Sequence, residues 1–247
     1  MSDDQTRRDQ LATSLGEVRA RIAAACADAR RDPAEVTLIV VSKYFPASDV
    51  LLLHDLGVRD FGENRDQEAG EKYGEVRAAL GDAAAGVVLH FIGQLQTNKA
   101  SHVAAYADVV QSVDRARLVT ALDRGAHQVD RRLDVLLQVD LDIPQGDQEA
   151  SVGRGGVGPE QVHELADAVA VRGLLRLRGV MAVAPLGADP DAAFARLREV
   201  ADGIRRRHPG ADWISAGMSG DLEAAVRHGA THLRVGTAIL GTRPSLL

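Results

Sequence analysis

Only three lysines occur in this 247-residue chain, Lys43, Lys72 and Lys99. Arginine keeps its proton at any ordinary pH, whereas an ammonium group can lose one and become a nucleophile. Chemistry that needs an amine therefore has these three candidates and the N-terminus. Lys43 stands out because it follows the apolar run Leu38-Ile39-Val40-Val41 with only Ser42 between. At the mouth of a buried strand its amine is partly desolvated, which lowers its pKa. A neutral amine is what a Schiff base requires. The alternative is a rim lysine whose stem covers apolar surface while its head reaches water. Position alone leaves both open.

Two glycine-bearing segments near the C-terminus could hold an anion: Gly217-Met218-Ser219, and Gly236-Thr237. Glycine lets a backbone approach a ligand closely, and the first amides of a helix point at whatever lies ahead of it. Together the segments form a candidate phosphate cradle. The alternative is N-capping by Ser219 and plain turn chemistry at the glycines. Arg234, ending a short apolar segment, is a fixed positive donor that would keep a facing ring nitrogen unprotonated. A salt bridge to Asp221 or Glu63 is its other expected use.

The elements that must position these residues show in the apolar spacing. Leu11, Leu15, Val18, Ile22 and Cys26 predict a helix over about 8–30, ended by Asp32-Pro33. The β-branched run 36–41 predicts a buried strand. Further strands are expected at 58–61, 87–92, 108–111, 134–139, 176–181, 213–215 and 232–235. Helices at 47–56, 64–80, 97–106, 114–127, 159–171, 190–208 and 221–228 alternate with them, with Pro159 in a first turn. A polar, glycine-rich loop spans 142–158. Eight alternating units predict an α/β protein with a parallel sheet, closed as a single (β/α)8 TIM barrel over 1–247 with an extra N-terminal helix. An open doubly wound sheet is the second architecture. In a barrel, chemistry gathers at the C-terminal ends of the strands, and phosphate often sits after strands 7 and 8. Lys43, Asn64, Met181, Ser215 and Arg234 all fall at such ends.

Composition removes other classes. The net charge is −6 with both signs mixed, so no basic face suits nucleic acid. Arg131-Arg132 and Arg205-Arg206-Arg207 lie near predicted helix ends, where cations complement the dipole. A lone Cys26 forms no internal disulfide, and no metal-ligand spacing occurs. No apolar run approaches the roughly 18 residues of a membrane span. The polar start Met1-Ser2-Asp3-Asp4 is unlike a signal peptide, so a cytoplasmic protein is expected.

In their order and spacing, several segments resemble the pyridoxal phosphate homeostasis proteins, relatives of the alanine racemase N-terminal domain. They are Val40-Val41-Ser42-Lys43, Phe61-Gly62-Glu63-Asn64, His90 to Lys99, Arg178-Gly179-Val180-Met181-Ala182, Gly217-Met218-Ser219-Gly220-Asp221, and Arg234-Val235-Gly236-Thr237-Ala238. The resemblance implies pyridoxal 5′-phosphate held on Lys43 as a Schiff base. It implies a phosphate site at Ser215, Ser219, Gly236 and Thr237, with Gly217 and Met218 completing the loop. Arg234 would face the pyridine nitrogen, and Asn64 and Met181 would line the pocket. Lys99 matches a family lysine of open role. Implied partners are the cofactor and the apoenzymes that receive it, with no nucleic acid or membrane, in a monomer or weak homodimer. Three positions depart from the family: Phe45 stands where a second lysine is usual, Leu240 replaces a phenylalanine, and Arg154 replaces a lysine.

The expected function is a non-catalytic cofactor carrier in intracellular pyridoxal phosphate homeostasis. The alternative is an amino-acid racemase-like enzyme of the same fold. A racemase needs an acid/base on the cofactor's second face. Thirteen residues follow Arg234, so no second domain is expected to supply one. Of Tyr44, Tyr73 and Tyr106, only Tyr44 adjoins Lys43, and strand alternation would turn it away. A barrel binding another phosphate metabolite remains if Lys43 is only a rim residue.

Overall fold

The computed structural model describes residues 3–142 and 155–242. Most of the predicted glycine-rich loop, with Arg154, lies outside the described residues. Eight parallel strands close in chain order: β1 (Thr37–Val41), β2 (Asp60–Glu63), β3 (Val88–Phe91), β4 (Val109–Val113), β5 (Leu133–Gln138), β6 (Leu175–Met181), β7 (Trp213–Ser215) and β8 (His232–Val235). The helices are α1 (Asp3–Asp28), α2 (Ala47–Asp55), α3 (Asp66–Leu80), α4 (Ala100–Tyr106), α5 (Ala116–Gln128), α6 (Val162–Ala170), α7 (Pro190–Arg207), α8 (Leu222–Arg227) and α9 (Thr237–Leu240). The predicted barrel with an added N-terminal helix is the observed architecture. Among the described residues no helix is long and apolar enough to cross a membrane.

Strand alternation sorts the side chains. A Cβ on Gly62 would meet side-chain carbons of Ile39 at 3.1 Å, Ile92 at 3.1 Å and Val41 at 3.4 Å. These four positions therefore face the barrel interior. Val40, Phe61, Leu89 and Phe91 face outward and join the core shared with the helices. Deeper inside, Val109, Leu136 and Met181 form a separate apolar cluster. The predicted stripe of α1 is buried from Leu11 to Cys26.

The differences in boundary have local causes. β2 was expected to end before Gly62 but runs through Glu63, because the missing side chain at Gly62 makes room for Ile39 and Ile92. β4 continues past its first polar residue, since Gln111 is fully buried and bonded inside the barrel. Segment 97–106 is divided into a 3-10 turn, Thr97–Lys99, and α4. α6 starts at Val162, so Pro159 precedes the helix and is not in its first turn.

Candidate functional site

The mouth of the barrel brings the exits of β1 and β8 together. A Cβ on Gly236 would sit 3.1 Å from the Val41 carbonyl oxygen and 3.3 Å from the Val41 Cβ. Lys43, two residues beyond Val41, is half-buried in the turn that follows. Gly236, Thr237 and Ala238 head α9, and among the described residues no backbone acceptor faces their amides. The neighbouring loop is shaped by Gly217, whose φ is +90° and whose Cβ would lie 2.6 Å from the Ala225 Cβ. There Asp221, not Ser219, supplies the side-chain acceptor, taking the Met218 amide at 2.6 Å. Met218 itself is exposed at its edge.

That α1 braces both segments is not visible in the apolar pattern. Arg21 donates to the Ser219 carbonyl at 3.2 Å and to Glu223 Oε1 at 2.8 Å. Arg7 donates to the Leu240 carbonyl at 3.2 Å and to Asp49 Oδ2 at 2.6 Å.

Below the mouth, Arg234 is buried and pairs with neither Asp221 nor Glu63. It donates to Ser215 Oγ at 2.7 Å and to the Ala182 carbonyl at 2.8 Å. Ser215 Oγ in turn donates to Gln111 Oε1 at 2.7 Å. Gln111 Nε2 lies 3.0 Å from His90 Nδ1, and His90 Nε2 lies 3.0 Å from Asp60 Oδ1. With Gln111 Oε1 accepting, its Nε2 must donate, so His90 carries its proton on Nε2 and presents it to Asp60. The result is a one-directional donor chain across the barrel. Burial lowers the Arg234 pKa to about 10. Ser215, expected on the phosphate, has its hydroxyl engaged between Arg234 and Gln111. Met181 is buried against Val109 and Leu136 and so forms floor, not wall. Asn64 Oδ1 is buried and has no hydrogen-bond partner among the described residues. Gln111 and His90 were legible only as polar residues at inward strand positions.

Outside the barrel wall, behind Lys43, lies a second buried cluster. Lys72 Nζ donates to the Ser42 carbonyl at 2.8 Å, to Glu63 Oε1 at 2.8 Å and to Glu68 Oε1 at 3.1 Å. These use all three ammonium protons. Glu63 is fully buried, and Ser42 Oγ also donates to it at 2.8 Å. Burial raises the Glu63 pKa, and Lys72 acts against that rise. Lys99 sits elsewhere, on the wall of a cleft of about 990 Å³ beside the exits of β2 and β3, with Asn64, Arg65, Gln94 and Arg115. That cleft does not include Lys43, Arg234 or Thr237.

The β1 and β8 exits thus place a half-buried lysine near amides that take no backbone acceptor among the described residues, above a buried cation, while Asn64 lines the neighbouring cleft. Those features fit a phosphorylated aldehyde with a basic ring nitrogen.

Residues 14–244 match the alanine racemase N-terminal domain family. The chain is 43% identical over 250 aligned positions to the pyridoxal phosphate homeostasis protein of Mycobacterium tuberculosis (strain ATCC 25618 / H37Rv), covering 96% of this chain and 94% of the relative. It is 38% identical to the protein of that name from Escherichia coli K12, covering 95% and 97%. PipY of Synechococcus elongatus PCC7942, solved with PLP bound, superposes with a TM-score of 0.76 at 32% identity, covering 94% of this chain and all of that one. Alanine racemase of Corynebacterium glutamicum, at 14% identity and a TM-score of 0.65, shares the fold. The chain belongs to the pyridoxal phosphate homeostasis proteins, within the alanine racemase N-terminal domain family.

Proposed function

We propose that this protein binds pyridoxal 5′-phosphate at the barrel mouth, carries it on Lys43 and hands it to apoenzymes, without turnover of its own. The observation that carries the proposal is the packing of the β8 exit against Val41, two residues before Lys43, with the amides heading α9 taking no backbone acceptor among the described residues. The structure of a relative with PLP bound supports it. The cofactor supplies an aldehyde that condenses with a lysine amine and releases water. The protein's own groups do the rest. The Gly236, Thr237 and Ser219 amides and the two hydroxyls hold the phosphate, and the Gly217-Met218 turn presents them. Arg234 meets the ring nitrogen as a cation. Ser215 supports Arg234 in place of binding phosphate. Asn64 Oδ1 acquires a partner from the ligand side, over a floor that includes Met181.

The tyrosines support a carrier over a racemase-like enzyme. The Tyr73 hydroxyl is buried 3.2 Å from Ser42 Oγ, and the Tyr106 hydroxyl donates to Asp66 Oδ1 at 3.1 Å. Tyr44 lies with its ring under the Arg65 guanidinium, 5.3 Å from it. Each is engaged by a neighbour within this chain.

The test is spectroscopic. Protein mixed with pyridoxal 5′-phosphate is expected to gain a visible band that borohydride removes, leaving the reduced adduct on Lys43 in peptide mapping. Lys43→Ala is expected to show no band. An adduct on Lys72 or Lys99 instead would overturn the assignment. Exchange of the α-hydrogen of alanine or serine in deuterated water, followed by NMR, is expected to stay at the rate of free cofactor. Enzyme-like exchange that needs Lys43 would establish the racemase-like alternative.

A further inference from the structure

We infer that Glu68 and Lys72 are positioning residues that grip the main chain on both sides of Lys43. The inference rests on Lys43 being the cofactor lysine. Lys72 Nζ holds the carbonyl of Ser42, the residue before it, at 2.8 Å. Glu68 Oε1 takes the amide of Tyr44, the residue after it, at 2.5 Å. The two holders are joined to each other at 3.1 Å, one turn apart on α3. They are anchored by Glu63, which Lys72 and Ser42 both contact at 2.8 Å.

The need for a grip is visible in the backbone. Tyr44 has φ +70°, a left-handed conformation that a tyrosine does not adopt unaided. A chain leaving a strand into such a turn would relax, and Lys43 would turn with it. The Glu68 carboxylate fixes the turn by its bond to the strained residue's amide. The Lys72 ammonium fixes the preceding carbonyl, so both peptide planes flanking Lys43 are held.

This division of labour gives the two buried-end lysines opposite roles. Lys72 is engaged by three acceptors, two of them carboxylate oxygens, and serves as a holder. In the condensation, neutral Lys43 nitrogen bonds to the aldehyde carbon. Both of its protons leave with the carbonyl oxygen as water. A grip on the main chain accelerates that step by holding the amine in attacking geometry, and leaves phosphate binding untouched.

The experiment separates covalent capture from docking. Capture is the rate at which the visible band appears with pyridoxal 5′-phosphate. Docking is the affinity for 4-deoxypyridoxine 5′-phosphate, which has the ring and phosphate but no aldehyde. In Glu68→Ala, capture is expected to slow by about tenfold or more, with docking changed by less than about threefold. Glu68→Gln keeps a carbonyl acceptor for the Tyr44 amide and is expected to recover most of the rate. Unchanged capture in Glu68→Ala would overturn the inference. So would a parallel loss of capture and docking, which would mean a merely structural role. Hydrogen exchange on the wild-type protein reads the grip directly, whatever the variants do. A protected Tyr44 amide is expected, and an amide exchanging as fast as an open turn would overturn the inference. Wild-type protein that forms no band on Lys43 would sink the proposed function, while Tyr44 protection would still report on the clamp itself.

Discussion

The two ends of the barrel interior hold similar residue types and treat them differently. At the N-terminal end, Arg176 pairs with Asp134 through two bonds, at 2.5 and 2.6 Å. Arg178 lies 4.2 Å over the Trp213 ring, which in turn rests 4.2 Å from His232. His232 Nδ1 meets Thr231 Oγ1 at 2.8 Å, and His90 meets Asp60. Most of this end is closed upon itself; Arg178 Nε, 3.6 Å from Asp134 Oδ2, makes no hydrogen bond among the described residues. At the C-terminal end, among the described residues, Asn64 Oδ1 has no hydrogen-bond partner and the amides heading α9 have no backbone acceptor. Buried polar groups without partners cost stability unless a ligand satisfies them. Under the proposed function, the closed end contributes fold and the open end binding.

The strongest way to break that comparison is Trp213→Ala. It removes the surface on which Arg178 and His232 rest, and should cost about 3 kcal/mol of unfolding free energy in denaturant titrations. Cofactor affinity per folded molecule is expected to stay within about twofold, because additivity holds for distant sites. A matching loss of affinity would mean that the two ends are one unit.

Next in size is the mirror experiment at the open end. Gly236→Val places side-chain carbons against the Val41 carbonyl, where even a Cβ would sit at 3.1 Å. Pyridoxal 5′-phosphate affinity is expected to fall about 30-fold, in the range of losing charge-assisted bonds to the phosphate. Pyridoxal, which lacks the phosphate, should change by less than about threefold. Equal losses for both ligands would place the phosphate elsewhere.

The same contrast explains what could be learned from the sequence. Periodicity reveals burial, so the eight strands, the α1 stripe and the strand-end positions of Lys43 and Arg234 were legible. Periodicity does not reveal which polar groups meet after the chain closes. Ser215 had the right residue type and place for a phosphate ligand, yet Arg234 and Gln111 hold its hydroxyl. Ser219 looked like a cap, but Asp221 makes the bond. Lys72 and Glu68 are one helical turn apart, a spacing that does not say what else they reach. Only the packing of α3 behind β1 shows that they reach the main chain beside Lys43. Arg7 and Arg21 are more than 190 residues from the carbonyls they brace.

The smallest expected effect concerns protons at the closed end. Burial lowers the His232 pKa from 6.5 to about 3, helped by repulsion from His90, Arg178 and Arg234. The Trp213 ring and the Thr231 hydroxyl, which also face it, carry no charge. Above pH 6.5 the histidine is neutral in both folded and unfolded chains, and it contributes no pH dependence. Below 6.5 the unfolded chain takes up a proton that the native barrel refuses. Stability must then fall with falling pH, at up to about 1.4 kcal/mol per unit, until the native ring itself titrates near pH 3. Carboxylates elsewhere also respond to acid, so the contribution is read as a difference between two proteins. In His232→Asn the packing loss is the same at every pH, and only the slope reports the proton. Between pH 6 and pH 5 the wild-type unfolding free energy should fall more steeply than that of the variant, by about 1 kcal/mol over the unit. Equal slopes would mean that His232 accepts its proton inside the folded barrel. The N-terminal end would then be open to water, and the distinction between a closed end and an open one would fail.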